Sequence, residues 1–251
     1  MAKLSIEQLK YTDPPSYKTV KSYRPYLREA SNYSCSYCGI SEAESSGATF
    51  NIDHFRPQAL FSSLATECTN LRYSCPRCNS YKSDNWISRE QGCIRDCSKC
   101  DSKVCTQDIA RFIDTLNEDP AAVIYIADDD KLYAYSSSKV ANYTINYLRL
   151  NRVQLIRLRH IRRFMENWEL ELKDKLTSID NNLAELSTQY SEFMSGAHDK
   201  DSPHYNIIIT MFQLLEKQYF NSRIFVEQEL EKLAFLKKSM CGRDDRSLPA
   251  E

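Results

Sequence analysis

Apolar residues recur at helical spacing through the C-terminal half of this chain. Few glycines and a single proline, Pro203, interrupt residues 139–240. The polar stretch 196–203 predicts a loop, and a helix break is expected near Asn221 and Ser222. The spacing predicts four helices, at roughly 139–149, 151–175, 177–195 and 204–238.

The N-terminal half has a different pattern, with short apolar segments and little helical periodicity. A helix is expected around residues 17–30, although Pro25 can divide it. Two apolar segments, 122–127 and 132–135, flank a polar turn at 128–131. This arrangement predicts a β-hairpin, so the chain as a whole should have an α+β fold.

The composition favours a soluble protein. The net charge of -1 does not indicate nucleic-acid binding, although only a face that meets phosphate has to be basic. No apolar run approaches the length of a membrane span, and the N-terminal residues MAKLSIEQLKYTDPP contain no apolar signal segment. We therefore expect a cytoplasmic protein that does not enter a membrane.

Clustered cysteines change this picture, because in a reducing compartment they suggest metal binding rather than disulfides. Cys35 and Cys38 form one Cys-x-x-Cys pair, and Cys75 and Cys78 form another. Two such pairs can supply four thiolates to a tetrahedral, structural zinc site. Gly39 permits a tight turn after the first pair.

A second group of cysteines follows directly, at Cys93, Cys97, Cys100 and Cys105. Their spacing is less regular, but it favours a second zinc site that would hold together a segment with no apolar core. An iron–sulfur cluster and thiols without metal are the alternatives.

The segment between the two Cys-x-x-Cys pairs holds the candidate catalytic residues. Phe50 and Ile52 predict a short strand that Pro57 ends, and this strand carries Asp53 and His54. Adjacent side chains on a strand point to opposite faces. Both residues can therefore serve one site only at a strand end or a bend.

Asn70 precedes the second cysteine pair, and Asn79 and Lys82 follow it, where a short helix should begin. Each of these residues alone would suit a cap, a turn or a surface position. The order Asp-His, Asn-Leu and Cys-x-x-Cys-Asn-x-x-Lys, however, resembles the HNH (His-Me finger) nucleases, and the cysteine pairs resemble their zinc-bearing branch. The last family position is often histidine and is Asn79 here, as in the HNH domains of RNA-guided CRISPR nucleases.

This resemblance implies a zinc-stapled ββα-metal core that hydrolyses phosphodiester bonds. His54 would act as the general base, and Asn70 would orient it. Asp53 and Asn79 would bind one Mg²⁺ or Mn²⁺ ion, which would stabilise the phosphate and the leaving oxygen. Lys82 would contact phosphate.

Basic residues concentrate at the start of the helical half. Arg149, Arg152, Arg159 and Arg163 fall on one arc of a helix, and together with Arg56 they are candidates to contact nucleic-acid phosphates. The alternative is a solvated face that pairs with acids further along the chain. The apolar face expected to pack in the core contains Val153, Ile161, Phe164, Met165, Trp168 and Leu172.

A Thr-Ile…Leu-x-Leu-Asn stretch at residues 143–151 leads into the arginine-rich helix. It resembles the HNH subunits of Septu-type anti-phage systems, including those found with some retrons. The resemblance implies a partner that is an ABC-type ATPase, and the chain has no GxxxxGKS/T P-loop of its own. Aromatic residues that could dock this partner, or simply pack in the core, are Tyr205, Phe212, Tyr219, Phe220 and Phe225.

Three functional hypotheses follow. The first is a DNA endonuclease in bacterial defence, the second is an RNase with the same mechanism, and the third is a zinc-dependent nucleic-acid-binding or assembly subunit without activity. The expected organisation is an arm and nuclease core at residues 1–106, a hairpin connector at 107–137 and a helical region at 138–251, with a disordered tail at 241–251.

Overall fold

Residues 4, 6–86, 109–196, 198 and 200–240 are described by the computed structural model. Contacts divide the chain into two units, Met1–Ile161 with Lys238–Glu251, and Arg162–Lys237. Small antiparallel sheets lie in the first unit, and long helices make up most of the C-terminal half. The predicted α+β class is therefore confirmed. The second cysteine group and the tail 241–251 lie outside the described residues.

The first unit begins with a short helical segment. A 3-10 turn, Val20–Tyr23, leads into helix α1, Arg24–Ala30. Pro25 lies in the first turn of α1, where a missing N–H costs little because the first donors of a helix have no partner within it. The helix predicted over residues 17–30 is thus shorter than expected, and the proline starts it instead of dividing it.

A ββα unit follows. Strand β1, Asn51–His54, pairs antiparallel with strand β2, Leu71–Ser74. Helix α2, Pro76–Lys82, begins directly after β2. The strand predicted around Ile52 is confirmed, and the short helix after the second cysteine pair starts inside that pair, since Cys78 already lies within α2.

The predicted hairpin is also present, with strands β3, Ile124–Ile126, and β4, Leu132–Ala134. Helix α3, Lys139–Tyr147, follows it. The Asn151 side chain then acts as an additional strand partner. Its Oδ1 accepts a hydrogen bond from the Leu132 N–H at 2.8 Å, and its Nδ2 donates to the Leu132 carbonyl at 2.9 Å.

Two long helices complete the fold. Helix α4 spans Val153–Ser195 and helix α5 spans Pro203–Met240. The predicted break between residues 175 and 177 and the break at Asn221 and Ser222 were both wrong. The Thr177 hydroxyl donates to the Lys173 carbonyl, and the Ser222 hydroxyl donates to the Gln218 carbonyl, each at 3.0 Å. These polar side chains are satisfied inside a continuous helix, so they do not end it.

In the second unit, α4 and α5 pack along a common seam. The rings of Phe193 and Tyr205 stack at 5.3 Å between centroids, and those of Tyr190 and Phe212 meet edge to face at 5.4 Å. At the other end, Lys237 pairs with Glu169. These contacts show that the two helices run antiparallel.

The apolar face predicted for α4 is only partly correct. Met165 and Leu172 are buried, whereas Val153, Ile161, Phe164 and Trp168 are exposed. A helix that packs against a single neighbour covers only part of its apolar circumference, and the sequence does not show how many neighbours a helix has. None of the described helices is both long enough and apolar enough to cross a membrane.

Replacing Asn151 with alanine is expected to lower the free energy of unfolding by about 2–4 kcal/mol, because the buried Leu132 N–H and C=O would lose their partner. Urea denaturation measures this change. Asn142→Ala is the matched control, since the exposed Asn142 amide donates to the Ser138 carbonyl at the start of its own helix. Equal stability of the two variants would contradict the strand-partner role of Asn151.

Candidate active site and metal cluster

Four cysteines from two segments meet beside the ββα unit. The Sγ atoms of Cys35, Cys38, Cys75 and Cys78 all lie within 4.8 Å of one another, and those of Cys38 and Cys75 are 3.8 Å apart. Ligands about 2.3 Å from zinc in a tetrahedron are separated by roughly 3.8 Å, whereas a disulfide requires about 2.05 Å. Gly39 adopts a positive φ of 68°, as the turn requires. The four thiols therefore fit a structural zinc ion.

Arg152 lies against this cluster. Its Nη2 is 3.5 Å from Cys38 Sγ and 3.7 Å from Cys78 Sγ, while its Nη1 donates to the Leu148 carbonyl at 3.1 Å. Four thiolates around Zn²⁺ leave a net charge of about -2, which the guanidinium partly neutralises. Arg152 was predicted to contact phosphate. The structure instead places its charge on the cysteine sulfurs.

Asp53 lies in the interior, opposite Arg72 in the β1–β2 register. Its carboxylate accepts a hydrogen bond from the Tyr37 hydroxyl and pairs with the Lys82 ammonium, with 3.1 Å between Lys82 Nζ and Asp53 Oδ2. Burial raises the pKa of Asp53, although Lys82 and Tyr37 act to lower it. Burial also lowers the pKa of Lys82, against the attraction of Asp53, and burial together with the Asp53 charge raises the pKa of Tyr37 well above its usual range.

His54 ends the same strand and is half-buried. Its Nε2 lies 2.9 Å from the Ala65 carbonyl oxygen. A carbonyl oxygen can only accept a hydrogen bond, so the proton of the neutral ring must be on Nε2. The Nδ1 atom of this tautomer carries a lone pair and can accept a proton, which a general base requires.

Asn70 was predicted to orient His54, but its amide contacts the loop beside that residue. Asn70 Oδ1 accepts from the Arg56 N–H at 2.8 Å, and Nδ2 donates to the carbonyls of Arg56 at 3.0 Å and Leu64 at 3.3 Å. The amide thereby joins both ends of the 56–64 loop. Ala65, the acceptor for His54, follows directly, so the Asn70 amide is linked to the histidine through this loop.

Helix α2 places Lys82 and Asn79 near β1. The Lys82 side chain is fully buried, and Nζ also donates to the His54 carbonyl at 2.7 Å. Its charge is therefore paired inside the protein, whereas the sequence analysis expected Lys82 to contact phosphate. Asn79 is half-buried three residues earlier, and residues at this spacing are neighbours on a helix surface. Asn79 thus lies beside Lys82.

Asp53 and Asn79 are the two oxygen donors near β1 that the sequence analysis assigned to a divalent ion. A carboxylate offers about four lone-pair positions to hydrogen-bond donors or metal ions. Tyr37 and Lys82 occupy only some of these positions on Asp53. Within the part of the chain that the structure describes, the four cysteines are the one group of three or more His, Cys or acidic ligands that could share an ion. A Mg²⁺-class ion here would rely on Asp53, Asn79, water and substrate phosphate, a common arrangement for Mg²⁺.

The arginines predicted to form one basic arc have different surroundings. Arg159 is buried, and its Nε donates to the Asp130 carbonyl at 2.6 Å, so its charge is used inside the fold. Arg149 precedes α4, is exposed and lies over the Tyr81 ring at 4.9 Å. Arg163 is half-buried within α4. The single arc was wrong because α4 begins at Val153, after Arg149 and Arg152.

Arg56 lies in the wall of a cavity of about 530 Å³ that Phe61, Leu64 and Asn70 also line. Its guanidinium stacks over Trp86 at 5.3 Å and over Phe61 at 5.6 Å. The side chain is mostly buried. A phosphate could meet this charge only by entering the cavity.

Several groups at the site were missed by the sequence analysis. Tyr37 stands between the two cysteines of the first pair, and only its position near β1 in the folded chain connects it to Asp53. Arg72 could have been found from strand pairing, because the register places it opposite Asp53. It forms a buried ion pair of 2.5 Å with Asp114. The Ala65 carbonyl is a backbone atom and has no sequence signal.

Comparison with known families agrees with this geometry. Residues 35–85 match the family model described as HNH endonuclease. The match covers about a fifth of the chain and includes both cysteine pairs, the strand with Asp53 and His54, and α2. No curated protein and no solved structure matches the chain.

Replacing Arg152 with alanine is expected to weaken zinc binding about 10–100-fold, because groups that contact metal ligands contribute on this scale. Chelator competition on the full chain measures the change. Arg157→Ala is the matched control, since Arg157 is an exposed arginine of α4, five residues after Arg152. Equal zinc affinity in the two variants would contradict the neutralising role of Arg152.

Proposed function

We propose that this chain, whose residues 35–85 form an HNH endonuclease domain, is a divalent-metal-dependent endonuclease that hydrolyses phosphodiester bonds of DNA. The observation that carries the proposal is the His54 ring, which is bound through Nε2 to the Ala65 carbonyl and leaves Nδ1 to accept a proton. Asp53 on the same strand supplies a carboxylate oxygen.

In this mechanism His54 Nδ1 takes a proton from the attacking water as the water oxygen bonds to phosphorus. The bond between phosphorus and the leaving oxygen breaks, and that oxygen takes a proton from solvent. A divalent ion, Mg²⁺ or Mn²⁺, supplies charge neutralisation at the phosphate and at the leaving oxygen when it is bound. Asp53 and Asn79 would hold this ion.

Lys82 and Tyr37 have a positioning role in this proposal. Lys82 joins α2 to β1 through Asp53 and the His54 carbonyl, and Tyr37 fixes the Asp53 carboxylate. Contacts within the protein therefore fix Asp53 and the strand end at His54 before the substrate binds. Such preorganisation is a main source of catalytic rate.

We further propose that the chain is the effector of an anti-phage defence system, beside an ABC-type ATPase that controls it. Support comes from the stretch 143–151, which resembles Septu and retron-associated HNH subunits, and from the lack of a P-loop in the sequence. In the structure this stretch ends at Asn151, which joins the β3–β4 hairpin to the start of α4.

Changing His54 to alanine is expected to reduce cleavage at least about 100-fold, because the proton acceptor is removed. The assay compares plasmid DNA, linear duplex DNA and structured RNA, each with Mg²⁺ or Mn²⁺. His204→Ala is the control, since His204 is an exposed histidine of α5. Equal cleavage by His54→Ala and the wild type would show that the site assignment is wrong. Cleavage of RNA but not of either DNA would show that the substrate is RNA.

Changing Asn70 to alanine is expected to lower kcat about 10–100-fold with little change in KM, because the 56–64 loop that leads to Ala65 loses its anchor. Zinc content should stay constant. Thr69→Ala, an exposed neighbour, is the control. A variant with wild-type kcat would exclude the loop as the means by which Asn70 acts.

A further inference from the structure

Helix α5 has an apolar face that nothing in the described chain covers. Five large side chains in its first turns are between 36% and 61% exposed. Soluble proteins rarely leave such a group of apolar side chains in water unless it marks an interaction site. The five residues are Ile207, Ile208, Met211, Leu214 and Leu215.

This face is distinct from the seam with α4. The seam residues of α5 recur every seven positions, at Tyr205, Phe212, Tyr219, Val226 and Leu233, of which the first and the last two are buried. The exposed residues stand two, three and six positions after a seam residue. At 100° per residue these positions lie between about 200° and 300° around the helix from the seam residue, on one face beside the seam. The packing against α4 leaves all five side chains at least 36% exposed.

The spacing of the five residues is symmetric about Met211. Ile207 and Leu215 lie four positions to either side, and Ile208 and Leu214 lie three positions to either side. In two antiparallel copies of this helix, Ile207 faces Leu215, Ile208 faces Leu214, and Met211 faces its own equivalent. A two-fold interface requires such a self-complementary patch, whereas docking to an unrelated protein does not.

The exposed area is sufficient for a modest dimer. A large apolar side chain that is about half exposed contributes on the order of 100 Å². Five such side chains on each of two copies bury roughly 1,000 Å², near the lower limit for a specific interface.

We propose that two copies of this chain associate through antiparallel pairing of α5 about Met211. The five residues of this interface all belong to the unit Arg162–Lys237.

Sedimentation equilibrium of the full chain, under reducing conditions and from about 1 to 100 µM, tests this pairing. The wild type should pass from monomer to dimer. Met211→Glu should remain monomeric, because it places two carboxylates face to face at the two-fold axis. Phe220→Glu is the matched control, since Phe220 is 55% exposed on α5 but lies outside the symmetric face, and it should dimerise like the wild type.

A charge-swap mixture makes the test specific. Met211→Glu mixed with Met211→Lys should restore the dimer, because position 211 then meets an opposite charge across the axis. A wild type that stays monomeric throughout this range overturns the proposal, and so does a Met211→Glu variant that dimerises normally. Failure of the mixture to dimerise would exclude the antiparallel register. Zinc content and helicity of each variant show that it has folded.

Discussion

The contact among four cysteine thiols joins two segments that are far apart in sequence, and the geometry of the candidate active site depends on it. Strands β1 and β2 have only four residues each, and a two-stranded hairpin of this size is at most marginally stable alone. The thiols link the turn at Cys35 and Cys38 to the end of β2 and the start of α2. In such a site the free energy of metal binding is also folding free energy.

This link determines what surrounds Asp53. Tyr37 lies in the turn with the first cysteine pair, and Lys82 lies in α2, which begins at the second pair. The two side chains therefore reach the Asp53 carboxylate from two segments that the cysteines join. A buried charge is tolerated only when it is paired and hydrogen-bonded, and Arg72 with Asp114 forms a second such pair close by. His54, at the half-buried end of β1, is left as the group that can accept a proton from solvent.

The parts of this arrangement that sequence could predict are those with fixed spacing. Two Cys-x-x-Cys pairs specify four thiolates, and Asp53-His54 with Asn79 and Lys82 follows the order of a family motif. The roles of Arg152 and Arg159 could not be predicted, because an arginine on a helix looks the same in sequence whether it meets a phosphate, a cysteine sulfur or a carbonyl oxygen. Long-range contacts of this kind arise only when the chain is folded.

Helix length shows a related limit. Thr177, Asn221 and Ser222 resemble breakers in the sequence, yet the two hydroxyls bond to carbonyls one turn earlier and α4 and α5 continue. Likewise, the apolar pattern of α4 and α5 shows that each helix packs against other elements, but it does not show how many elements pack against it. Phe164 on α4 and Met211 on α5 are exposed, because they lie on faces that the packing between these two helices does not cover.

The Ala65 carbonyl holds neutral His54 in the tautomer with its proton on Nε2, which leaves Nδ1 as the proposed base. Long-range ¹H–¹⁵N NMR of the imidazole rings in the zinc-loaded chain, with His54→Gln used to assign the signal, reports the tautomer directly. We expect a protonated Nε2 and an unprotonated Nδ1 for neutral His54. A neutral His54 with its proton on Nδ1 would contradict this expectation.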